Sequence, residues 1–420
     1  MKAQKRRKKK SAAGTVFGLF FALLGVAAIL GLYRLRDGFE LGGMEPEPTP
    51  SPTAVPELAA TPEPTPEPTP EPTPEPTPEI LTFSFVGDNT LATAIGSNYE
   101  FSPLGFQQTI GEDYSYPYAN TKQFFEADEM TFANLECSFS TEKLLHDYTV
   151  TTFPFLAKPE SAAILTLGGV DFVTMANNHT MDFYEAGVNS TKQALEQIGL
   201  PYGGESQGQI VESKSGLKVG VWTAGTDLMP NKDKAAAGVQ ELKAQGADVV
   251  VCMFHWGQEA VYTVFDTMTQ LAHACIDAGA DIVYGTHPHC LLPVEEYNGG
   301  FIMYSLGNWS FGGNTNPKDP DTAIIQVNIR RDPDGTLSLD GHEIIPCCIS
   351  TNIAGGEAAA KKQNNEDFTY ADFENYNDYK PTPYEKDSSG YLRVLGKLDG
   401  SYAPSSQGAD YTDYYNSLAS

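Results

Sequence analysis

The chain is short of positive charge. It holds 27 lysines and arginines against 54 aspartates and glutamates. Nine of the basic residues fall within the first 36 positions, where there is no acid. The rest of the chain is left with 18 basic and 54 acidic residues, a formal charge of −36. A surface so acidic repels phosphate backbones, which argues against nucleic acid as a partner. It repels free polyanions too, unless a bound metal or a local basic patch reverses the sign. Cysteine is sparse: Cys137, Cys252, Cys275, Cys290, Cys347 and Cys348, with no zinc-ribbon spacing. Cys252 lies in a strand-like run and Cys275 in a helix-like one, so buried free thiols are expected. An even count outside the cell still permits disulfides, although adjacent Cys347 and Cys348 would make a strained one.

Near the N-terminus one apolar run stands out, GTVFGLFFALLGVAAILGLY over residues 14–33. About 20 such residues cross the hydrocarbon core as a helix. A cleaved leader would have a shorter apolar core, roughly 7 to 15 residues, and a small-x-small cleavage site. This run ends instead in Tyr33-Arg34-Leu35-Arg36, so an uncleaved membrane anchor is expected at 12–33. Seven basic residues before the span against two after it place the basic tail, 1–11, in the cytoplasm and the main domain outside. Residues 34–79 read as a stalk whose core repeats Glu-Pro-Thr-Pro. Proline at every second position excludes helix and sheet and leaves polyproline II, about 3.1 Å per residue. The expected job is a spacer that carries the domain through or beyond a cell-wall layer.

From residue 80 the pattern is that of an α/β domain. Strand-like runs at Leu81–Val86, Met130–Ala133, Val170–Met175, Leu217–Thr223, Asp248–Phe254 and Asp281–Tyr284 are interspersed with helix-like stretches at Pro159–Leu167, Val188–Ile198, Lys234–Gln245 and Thr267–Ala278. A hairpin is expected across Asn298-Gly299-Gly300, and Ala323–Ile329 is expected to close the series. The domain is thus placed at 80–350, followed by a partly ordered, acidic, Tyr-rich tail at 351–420.

One pattern recurs in this domain: a strand-like run stops and a potential metal ligand follows at once. It happens at Asp88, at Asn134 and Glu136, at Asn178 and His179, at His255, and at His287 and His289. In α/β sheets ligands bind at the carboxyl ends of strands, so these segments are expected to converge on one edge. Carboxylate, amide and imidazole together suit a hard or borderline divalent ion such as Mn, Zn, Fe or Mg. Trp256 is either packing or a stacking wall for substrate. His273 reads as structural, and His146 and His342 lie outside the pattern. Asn308 would support the site from behind, while Glu259 and Glu295 are either proton carriers or surface acids.

Taken in order, these motifs resemble the CapA family of poly-gamma-glutamate capsule synthesis, itself similar to calcineurin-like metallophosphoesterases. The resemblance rests on Gly-Asp88, Asn134-Leu135-Glu136, Ala-Asn-Asn178-His179 with Asp182, His255-Trp-Gly with Glu259, His287-Pro-His289 with Pro293-Val-Glu295, and Tyr-Ser-Leu-Gly-Asn308. It implies a four-layer α/β/β/α sandwich. It further implies that Asp88 and His289 hold one ion, that Glu136 bridges, and that Asn178, His255 and His287 hold another. His179 would be the imidazole beside the leaving group, oriented by Asp182. The sequence departs from metallophosphoesterases two residues after Asp88, where Thr90 replaces a histidine, and in the bridging acid, which is Glu136. Three functions are expected on this basis: a membrane-anchored capsule protein acting on poly-gamma-glutamate or another anionic polymer alongside synthase membrane subunits, a non-catalytic polymer-binding or assembly partner, and a phosphoesterase unrelated to capsule.

Overall fold

The computed structural model describes residues 77–141, 153–226, 230–313, 315, 317, 319–354 and 377–402. The expected anchor and nearly all of the stalk lie outside these residues. Among the described residues no helix is long and apolar enough to cross a membrane.

Sixteen strands succeed one another among the described residues. The first six are β1 (Glu79–Thr90), β2 (Met130–Leu135), β3 (Ser138–Phe139), β4 (Leu156–Ala157), β5 (Phe172–Thr174) and β6 (Tyr202–Gly203). Then come β7 (Gln207–Glu212), β8 (Lys218–Ala224), β9 (Val249–His255), β10 (Ile282–Thr286) and β11 (Leu291–Tyr297). The last are β12 (Gly300–Leu306), β13 (Asn308–Phe311), β14 (Asp321–Arg331), β15 (Leu337–Cys348) and β16 (Thr382–Pro383). One sheet runs β16-β15-β14-β1-β2-β5-β6, with β13 also paired to β1. A second runs β11-β12-β10-β9-β8-β7. The principal helices are α1 (Ala163–Gly168), α2 (Tyr184–Gln197), α3 (Lys232–Ala244), α4 (Asp266–Asp277) and α5 (Ser389–Leu398).

The layering follows from the period-2 alternation of strand side chains. On β9, Val249, Val251 and Met253 face a core shared with Phe83, Phe85 and Phe132 of the other sheet. Their neighbours Val250, Cys252 and Phe254 face the opposite way, onto Val239 of α3 and Leu271 and Cys275 of α4. The other sheet packs its outer face, including Val86, Ala133 and Val173, on Leu165 of α1 and Leu195 of α2. Two sheets face to face, each with helices outside, make the expected four layers. Strands buried on both faces explain why DVVVCMF reads as one continuous apolar run. The six cysteines are all buried free thiols, so the disulfide alternative is not realised.

Two expectations about the C-terminal half are corrected. The strand series does not close at Ile329: β15 pairs antiparallel along most of β14, from Asp321↔Cys348 to Arg331↔Leu337. Nor does the folded body stop at residue 350. β16 pairs with β15, and Val394 and Leu398 of α5 join the core between the sheets. Ser388 caps that helix by accepting a hydrogen bond from the Tyr391 N–H at 3.2 Å.

The sheet register builds one face for chemistry. Asp88 lies opposite Asn308 on one side and Asn134 on the other, and Asn134 lies opposite Thr174. In the second sheet His255 lies opposite Thr286, the residue before His287. Gly87 permits the close approach that sets the first of these rows. A Cβ there would sit 2.2 Å from the Gly307 carbonyl oxygen, which accepts from the Asp88 N–H at 2.9 Å. Gly87→Ala is therefore expected to cost about 1–3 kcal/mol by overpacking, read as a lower urea midpoint; an unchanged midpoint would show that β13 can retreat freely.

Candidate metal centre

Glu136, directly after β2, is the focus of the site. Its carboxylate is fully buried. Oε2 accepts from the Thr90 hydroxyl at 3.3 Å, whereas Oε1 is buried with no hydrogen-bond partner. Around Oε1 stand His255 Nε2 at 3.4 Å, His289 Nε2 at 3.9 Å and His179 Nε2 at 4.0 Å. A buried carboxylate oxygen without a partner is costly. Ringed by imidazole nitrogens, it stands where a cation would satisfy it. Glu136, His287 and His289 can each offer one atom within 4.8 Å of the others, the spacing an ion needs.

The remaining predicted ligands lie against this focus. His255 Nε2 is 2.7 Å from Asn178 Oδ1 and 3.0 Å from His287 Nδ1. On the other side of Glu136, His289 Nδ1 is 3.3 Å from Asp88 Oδ2 and 2.9 Å from Asn308 Oδ1. Asn308 thus stands against the His289 ring, where its amide oxygen can accept from Nδ1. Asn134 is a hub: its amide nitrogen donates to Asp88 Oδ1 at 2.7 Å and lies 3.3 Å from His255 Nδ1. The loop carrying His287 and His289 holds both residues in the left-handed region, with φ of 99° and 52°. Non-glycine residues stay there only when their surroundings over-determine it, which is characteristic of ligand clamps.

His179 and Asp182 form the expected pair, with Nδ1 2.9 Å from Asp182 Oδ2. That contact leaves Nε2 directed toward Glu136. The same Asp182 oxygen accepts from the Phe155 N–H at 3.1 Å, tying the pair to the segment beside the pocket.

The charges are strongly coupled. Burial pushes the Glu136 carboxyl up, but His289 first, then His255 and His179, outweigh it and hold it below the usual carboxylate range. Burial would lower His289, yet Glu136 and then Asp88 carry it up to about 10. His287 is pushed well below its ordinary value by burial and by the neighbouring His255 and His289. Neutral imidazole is the form that ligates, so an ion held here would displace the proton that Glu136 and Asp88 favour on His289.

A cavity of about 280 Å³ opens beside His179, His289 and Asn308, walled by Phe153, Phe155, Phe311 and Tyr262 and reached by Glu259 and Asp319. Glu259 is therefore at the site, exposed at the pocket rim. Glu295 is not brought there. It binds His273 Nε2 at 2.9 Å and the Tyr304 hydroxyl at 2.6 Å, on the α4 side of its sheet. Trp256 is packing: it is 1% exposed and its indole N–H donates to the Tyr304 carbonyl at 2.9 Å. His342 lies against Phe301 and Glu296, and His146 falls outside the described residues.

Several participants were not expected. Asn177 donates to Asn134 Oδ1 at 3.0 Å and to the Leu135 carbonyl at 2.8 Å, locking two site loops together. Thr286 lies 2.9 Å from His255 Nδ1. Both adjoin predicted ligands, and that adjacency was the signal available. The aromatic pocket walls come from positions spread between 153 and 311 and carry no local pattern.

The model of the family "Bacterial capsule synthesis protein PGA_cap" matches residues 82–312. The "PGA biosynthesis protein CapA" of Bacillus subtilis is 29% identical over 298 residues, covering 64% of this chain and 74% of that protein. The "Capsule biosynthesis protein CapA" of Bacillus anthracis is 32% identical over 208 residues, covering 44% of this chain and 50% of that protein. Among solved structures, the NAD nucleotidase of Haemophilus influenzae superposes with a TM-score of 0.39 at 12% identity, covering 76% of this chain and 67% of that one. A likeness that loose carries no argument about chemistry. The family match takes in more than half of the chain and every candidate ligand around Glu136, and the chain belongs to this family of bacterial capsule synthesis proteins.

Proposed function

We propose that the protein is a capsule-synthesis accessory protein. A helix at 12–33 anchors it in the cell membrane with the N-terminus in the cytoplasm, and the stalk at 34–79 carries the domain outside. There its divalent-metal centre engages an anionic surface polymer, poly-gamma-glutamate, beside the membrane subunits of a capsule synthase. The observation that carries the metal centre is the unpartnered Glu136 Oε1, ringed by imidazole nitrogens. The donor set of carboxylate, amide and imidazole fits Mn, Zn, Fe or Mg. Glu136, His287 and His289 would hold the ion, with Asn178, His255 and Asp88 completing the set. When bound, the ion supplies a Lewis acid for a carbonyl or phosphoryl oxygen.

The chain's own groups define the rest. Asp182 fixes the His179 tautomer, so Nε2 is the atom that would carry a proton to a leaving group. A bound metal also gives the acidic domain a local positive site, which answers how it can take a polyanion.

The test is the metal content of the full chain against a His287→Ala/His289→Ala variant. Near-stoichiometric metal, lost in the variant with the fold intact, is expected. A folded wild type that takes up no metal when offered Mn and Zn would overturn the proposal. Equilibrium dialysis with poly-gamma-glutamate oligomers then tests the polymer assignment.

A further inference from the structure

A buried charge cluster joins the C-terminal helix to the wall of the pocket. Lys397, on the last turn of α5, is 2% exposed. Its ammonium donates to both Asp319 oxygens at 2.8 Å and to Asp321 Oδ2 at 2.7 Å. Three donors meet three carboxylate oxygens, so the charge is satisfied in place. Asp319 also accepts from the Tyr262 hydroxyl at 2.5 Å. Both Asp319 and Tyr262 line the cavity beside His289. The Tyr262 loop is tied in turn to the ligand loop, since the Ala260 N–H donates to the Pro288 carbonyl at 2.8 Å. Ala260 sits at φ 58°, a conformation a non-glycine residue holds only under constraint.

We propose that Lys397 is a positioning residue of the binding pocket: acting through Asp319, it fixes the ring and hydroxyl of Tyr262 beside His289, and so makes residues 377–402 part of the site. No contact of Lys397 with substrate is required. Because Lys397 and Tyr262 compensate the charge of Asp319, this wall offers an aromatic face in place of a free carboxylate. It suits an uncharged planar segment of the bound molecule, such as an amide link, while a carboxylate would be left to the metal. That ligand class rests on the proposed polymer; the positioning role does not.

The experiment uses the full chain with Lys397→Met, Lys397→Arg and Tyr262→Phe, and reads amide hydrogen exchange, metal content and binding of poly-gamma-glutamate oligomers. In Lys397→Met, metal content stays at the wild-type level while exchange over 257–265 rises at least tenfold together with that over 389–398. Oligomer binding weakens at least tenfold, and Lys397→Arg restores most of it. Tyr262→Phe weakens binding without changing exchange in α5. Faster exchange confined to 389–398, with 257–265 unchanged, would overturn the proposal and leave Lys397 a purely structural group. If Lys397→Met does not fold, Asp319→Asn decides the matter by the same exchange pattern. Wild-type protein that binds no oligomer would count against the polymer reading, and the exchange pattern would still decide the role of Lys397.

Discussion

Asp321→Asn is expected to be the most destabilising conservative substitution in the described domain. The carboxylate is fully buried and accepts from Arg393 Nε and Nη2, both at 2.6 Å, from Lys397 at 2.7 Å and from the Tyr384 hydroxyl at 2.8 Å. Removing its charge leaves Arg393 without a carboxylate and Lys397 with Asp319 alone, and breaking a buried pair in this way typically costs about 3–5 kcal/mol. For a domain of this size the melting temperature should fall by roughly 10 °C. The effect has a pH signature. Burial would raise the Asp321 carboxyl, but Lys397, then Arg393, bring it down from 3.8 to about 2. A carboxyl lowered on folding contributes stability that is complete above its unfolded value and lost as pH falls through its folded one. The gap between wild type and Asp321→Asn should therefore be full at neutral pH and shrink between 3.8 and about 2. Urea midpoints at about pH 6 and about pH 3 test this. A gap that stays the same at both would show that the cluster is stabilised by shape and not by charge.

Glu136→Gln is expected to have the largest effect on metal. The amide keeps the volume and can still accept from Thr90, but it removes the charge on which the imidazoles converge. Metal affinity should fall by on the order of 100-fold or more, beyond what outer partners of a ligand usually contribute. The metal-free protein should lose stability as well, because the charge removed is the one that His289, His255 and His179 hold on the buried carboxyl and that in turn raises His289. Isothermal titration with Mn and Zn, paired with thermal melts of the stripped proteins, separates the two effects. Retained affinity would move the centre away from Glu136.

Much of this site was legible in the sequence because the candidate ligands stand at or near the carboxyl ends of strands. Asp88, Asn134, His255 and His287 stand at or just past the points where buried apolar runs stop, and parallel register aligns those points. What stayed hidden has physical causes. β15 is LSLDGHEIIPCC, half-exposed over most of its length and interrupted by Gly341 and Pro346, so its alternation is weak. α5 buries a lysine, and Lys397 reads as a surface residue until its two aspartates, near position 320, are brought beside it. Glu295 was misleading for the opposite reason: it sits in a motif near His289, but the alternation of β11 turns it toward α4. The pocket aromatics were hidden because only the folded chain brings them together.

The position of β1 also constrains when the domain can fold. Its first half pairs with β14, and Glu79 is bonded to Arg331, 252 residues later. At synthesis rates of roughly 5–20 residues per second, β1 waits on the order of 10–50 s for that partner to emerge. Phe83 and Phe85, fully buried in the finished domain, have no complete core to enter during that time. A high contact order of this kind slows folding and prolongs exposure of sticky strands. The strand that delivers Asp88 is thus among the first segments made and among the last to be sealed, and production of the domain will depend on whatever keeps that segment from associating in the interval.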